Sequence, residues 1–93
     1  MKVRLIRIAD DGIEPLWCSH FVPGETRDLS KASPLPPEHT IEQAREFPNI
    51  KVREVSLYEV ELPNFNNGVE VMLQVISGKP FPYDESTLRE VTD

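Results

Sequence analysis

Cys18 and His20 are the residues whose types and spacing come nearest to a reactive pair. Two positions apart on an extended segment, their side chains share a face. A thiolate beside an imidazole is a nucleophile, and Cys with His is half of a zinc site. Zinc needs about four ligands, or three and a water. The other soft ligand, His39, lies at the far end of a proline-rich connection, and no Cys-x-x-Cys pair is present. A lone cysteine also commonly packs as a small hydrophobe. The pair therefore supports the second of two functional readings: a small-molecule-binding domain or enzyme centred on Cys18 and His20.

Carboxylates are the next candidates. Glu59 and Glu61 share one face of a predicted strand, and Glu70 on the following predicted strand joins them in an acidic patch. Nothing nearby supplies the loop geometry of a calcium site, so the patch reads as solvated or partner-facing. The four glycines, Gly12, Gly24, Gly68 and Gly78, are isolated, which removes phosphate-loop and dinucleotide fingerprints. The sequence assigns no catalytic residue, no metal ligand and no cofactor.

Apolar groups at expected surface positions are more informative. Phe65 stands between asparagines in Pro63-Asn64-Phe65-Asn66-Asn67-Gly68, a predicted turn. A ring there either folds back on the core or meets a partner. Met72 and Ile76 fall on the outer face of the strand predicted next, where apolar side chains call for a covering element or a partner. Phe81 and Tyr83, set among prolines, are expected to dock on the sheet, and Trp17 is expected in the core.

These residues must be positioned by elements that the pattern outlines. Val3–Ala9 carries apolar groups on both faces, as in a strand covered on two sides. Asp10-Asp11-Gly12 is a turn, and Ile13–Val22 a second strand with an irregular start at Pro15. Glu25–Pro37 is a long polar connection. Thr40 with Gln43 fits a capping box opening a helix that Pro48 ends, with Ile41, Ala44 and Phe47 as its apolar stripe. Glu38, Glu42 and Glu46 would line the opposite face if the helix begins earlier. Ile50–Leu62 is a strand whose apolar phase shifts, predicting a bulge near Arg53-Glu54. Val69–Ile76 alternates cleanly and reads as the fourth strand, closing a hairpin from Ile50 to Ile76. The expectation is an α+β fold: a small, mostly antiparallel sheet of about four strands with one helix on a face, in the order β-β-α-β-β. Residues 1–83 form this domain, and 84–93 a short acidic tail, either a helical turn capped by Asp84 or disordered.

The chain has 93 residues, one cysteine and a net charge of −6, with a pI of 4.9. That charge opposes contact with nucleic acid and anionic lipid and favours a basic partner. No apolar run approaches the roughly 20 residues that span a bilayer. The absence of disulfide pairs and of a signal-like N-terminus points to the cytoplasm. The first functional reading is thus a small acidic protein-interaction module without catalysis, such as an inhibitor, immunity-type protein, adaptor or complex subunit. Its contact residues are expected among Glu59, Glu61, Phe65, Glu70, Met72 and Ile76. A homodimer covering Met72 and Ile76 with a second copy is the other arrangement this pattern allows.

Overall fold

The computed structural model describes residues 1–20, 24–46 and 54–92. Among these residues the fold is α+β: a five-stranded antiparallel sheet with two helices of unequal length. In chain order the elements are β1 (Lys2–Ile8), β2 (Leu16–Cys18), β3 (Glu25–Thr26), a 3-10 turn (Leu29–Lys31), α1 (Ile41–Ala44), β4 (Val55–Glu61), α2 (Gly68–Ser77) and β5 (Asp84–Glu90). The spatial order is β3-β2-β1-β4-β5.

Strand β1 sits at the centre because its sequence is apolar on both faces. Val3 and Leu5 join Trp17, Val60, Leu62, Ala32 and Phe81 in one core cluster. Ile6 and Ile8 join Leu16, Leu57 and Ala44 in another. The register Arg4↔Glu59, Leu5↔Tyr58, Ile6↔Leu57 sets opposite charges against each other and apolar groups against each other across β1 and β4. On the first face Trp17 meets Tyr58 edge-on, with ring centroids 5.3 Å apart. The N-terminal hairpin forms as expected, pairing Arg7 with Trp17 and Ile8 with Leu16. Its turn is held by the Gly12 amide, which donates to Asp10 Oδ1 at 2.8 Å. The second strand is shorter than Ile13–Val22, however. It starts at Leu16, after Pro15, and Ile13 is fully exposed.

Helix α1 starts where the capping box requires. Thr40 Oγ1 accepts from the Gln43 amide and Gln43 Oε1 from the Thr40 amide. Its Ala44 and Ile41 pack on the second cluster. Glu38 precedes the helix, so no three-residue acidic stripe runs along it. Phe47, Pro48 and Arg53, at the expected bulge, lie outside the described residues; Glu54 is within them, its carbonyl accepting from the Ala9 amide at 2.9 Å.

Two expectations are overturned. Val69–Ile76 is not a strand; it lies within the ten-residue helix α2, so the Ile50–Ile76 hairpin does not exist. Asn67 is the helix N-cap, its Oδ1 accepting from the Glu70 amide at 3.0 Å. Gly78 ends the helix in the left-handed conformation, φ 73°, which glycine adopts without a Cβ penalty. Residues 84–90 are not a tail but the edge strand β5, antiparallel to β4. Between the pairs Glu59↔Arg89 and Glu61↔Asp84 the register slips. There Thr87 Oγ1 replaces a ladder acceptor, taking the Glu61 amide at 2.8 Å. The slip and the charged side chains make β5 a poor template for further strand pairing. Asp84 does cap locally, accepting from the Ser86 amide and hydroxyl, but what it caps is strand, not helix.

Candidate functional site

The strands place Cys18 and His20 in different surroundings. Cys18, at the end of β2, packs half-buried against the second core cluster. Burial pushes its thiol above the ordinary range, opposite to what a nucleophile needs. His20 is exposed, with Nδ1 2.8 Å from Ser33 Oγ. His39 lies beyond the connection, its carbonyl accepting from Arg4 at 2.6 Å. Burial first, and then the Arg4 guanidinium, lower the pKa of its ring. Among the described residues no group of three or more His, Cys, Asp or Glu is placed to hold a metal.

The acidic patch does not assemble as expected. Glu59 and Glu61 share a face of β4, but Glu70 sits in the first turn of α2, beyond the opposite sheet face. There its carboxylate accepts from Asn67 Nδ2 at 3.4 Å. Glu59 is only 8% exposed. Arg89 donates to it at 2.6 Å, and Arg4 Nε and Lys2 Nζ lie 3.7 and 3.9 Å away. Three cations from β1 and β5 thus close over one carboxylate and tie three strands together, which leaves it little to offer a partner. Glu61 is half-exposed and lies 3.5 Å from the Met1 amine.

Phe65 is also inward. It packs against the first core cluster, its ring 5.7 Å from that of Phe81, which stacks in turn on Tyr83 at 5.7 Å. The docking expected of Phe81 and Tyr83 is observed: Phe81 is buried, and Tyr83 Oη donates to the Ala32 carbonyl at 2.6 Å.

Met72 and Ile76 are the most open of the expected contact residues. They are 57% and 75% exposed, and on the helix they stand with Val69 (69%) and Leu73 (62%). Positions 69, 72, 73 and 76 follow the i, i+3, i+4, i+7 spacing of one helix face. The opposite face reaches the core through Val71 and Val75 alone, and α2 has no fully buried residue. A surface helix ordinarily turns its larger apolar face inward; α2 does the reverse. The strand reading paired Met72 with Ile76 but put Val69 and Leu73 on the core side. Asn67-x-x-Glu70 ahead of the apolar run, and Gly78 after it, were the signals that separate the two readings.

Among the described residues no helix is long and apolar enough to cross a membrane. No protein family, curated protein or solved structure matches the chain.

Proposed function

We infer that this chain is a small acidic protein-interaction module without catalysis, in the class of inhibitors, immunity-type proteins, adaptors and complex subunits. The observation that carries this is the outward apolar stripe of α2: four large side chains, all more than half exposed, on one helix face. Their exposed surface is on the order of 500 Å², near the upper end of the largest patch on an ordinary monomer. Such a face costs solubility unless something covers it. The rest of the molecule offsets that cost with its net charge of −6.

Helix-in-groove docking reads a partner helix through this i, i+3, i+4, i+7 spacing. Charge acts at longer range, where an acidic body favours approach by a basic one. The raised thiol of Cys18 speaks against the alternative of a site built on Cys18 and His20.

Capture from lysate of the native source by the immobilised chain, read by mass spectrometry, tests the reading. Met72→Asp is expected to stay folded and lose the protein that the native chain retains. A variant that retains it as well as the native chain does would count against α2 as the contact face.

A further inference from the structure

The outer face of α2 has a spacing, a charge distribution and an area that together point to what covers it. We propose that this face pairs with α2 of a second copy of the chain, antiparallel and about a two-fold axis. This rests on the reading of that face as an interaction surface.

Spacing comes first. Residues at i, i+3, i+4 and i+7 form the seam of two helices packed at a shallow angle. An isologous contact must be complementary to itself. With the two-fold axis between Met72 and Leu73, those side chains, neither branched at Cβ, interleave at the centre. Each β-branched Val69 then meets Ile76 of the other copy. All four positions are filled by apolar groups from both sides.

At the stripe itself no charge selects a basic protein over a copy. The stripe itself carries no carboxylate to pair with a cation. Glu70 is the only acid in α2; it lies to the flank and is engaged by Asn67. A parallel pair would set both helix N-termini and both Glu70 carboxylates side by side. The antiparallel pair puts them at opposite ends and opposes the helix dipoles. It also brings Lys79, just past the Gly78 cap, to the end where Glu70 of the other copy lies.

Area sets the strength. At most about 500 Å² from each copy, or roughly 1,000 Å² in all, puts the contact at the lower bound for a specific interface. Both core clusters are complete within one chain, so the monomer does not need its copy in order to fold. A reversible dimer in exchange with folded monomer follows. Two bodies of charge −6 repel at long range, so salt should tighten the pair. A basic partner steered by charge would respond in the opposite sense.

Sedimentation equilibrium of the purified chain over a wide concentration series tests this. The expected mass rises from one chain to two, and added salt shifts the rise to lower concentration. Leu73→Glu, which acts twice in a symmetric pair, should weaken association by more than about tenfold. Met72→Gln, a milder change, should act in the same direction and guards against misfolding of the first variant. In a Cys18→Ser background, a mixture of Val69→Cys and Ile76→Cys chains should oxidise to the mixed dimer in preference to either homodimer.

A mass of one chain at every concentration overturns the proposal, as does a dimer that both variants leave intact. Preferred Val69→Cys homodimers overturn the antiparallel arrangement. A strictly monomeric chain that still captures another protein through Met72 overturns the self-pairing alone and leaves the interaction reading standing. If capture and self-association are both indifferent to α2, both readings fall.

Discussion

Tyr83 shows how one hydroxyl makes stability depend on pH. Its O–H donates to the Ala32 carbonyl at 2.6 Å, and burial raises its pKa far above the ordinary value of about 10. The folded chain therefore holds a proton that the unfolded chain releases above about pH 10. The contribution is complete below that pH and is lost as pH rises further. Tyr83→Phe should cost about 1–2 kcal/mol at neutral pH, by leaving a carbonyl without its donor. It should also flatten the alkaline fall in urea midpoint that the native chain shows. Cys18 behaves in the same sense: with its thiol pushed up by burial, alkylation in the native state should be slower than that of an unfolded control at the same pH. Equal rates would mean that the thiol is open. Glu59 tests the difference between a contact residue and a structural one. Glu59→Ala leaves Arg4, only 17% exposed, without its nearby carboxylate, and should destabilise the fold by about 1–2 kcal/mol, below the figure for a fully buried pair. A partner contact would instead leave stability unchanged and alter association alone.

Among the elements, α2 separates what the sequence discloses from what it hides. The hairpin of β1 and β2, the capping box of α1 and the two-sided burial of β1 were all legible. Each rests on local chemistry or on a period that only one structure satisfies. In Val69–Ile76 the six residues other than Glu70 and Gln74 cannot decide the period, because apolar groups fall on every side of either structure. The β-branched Val69, Val71, Val75 and Ile76 lean toward strand, and Asn67-Gly68 resembles a hairpin turn. Capping outweighed both. Asn67→Ala should therefore lower stability by about 1 kcal/mol and lower helix content, measured by circular dichroism and urea unfolding. β5 was hidden for another reason: an edge strand that buries almost nothing has no apolar alternation to read, and Thr87 and the ladder with β4 hold it in place. Phe65 turned inward because the residues around it form a connection into α2 rather than a hairpin tip, which brings its ring to Phe81.

At the scale of the whole molecule, a sheet covered on both faces supports a helix whose larger apolar face is turned away from it. Of the six expected contact residues, Met72 and Ile76 are on that face; Glu59 and Phe65 are built into the fold, Glu70 into a helix cap, and the half-exposed Glu61 lies beside the Met1 amine. On the proposed reading the acidic charge offsets the cost in solubility of an exposed stripe, and the stripe on α2 is the contact surface. The measurement that tests this most directly is urea unfolding of the double variant Met72→Asp, Leu73→Asp beside sedimentation of the same sample. An outward stripe predicts an unfolding free energy within about 1 kcal/mol of the native monomer, with association abolished. A variant that is unfolded without urea would show that these side chains belong to the core, and would contradict the account.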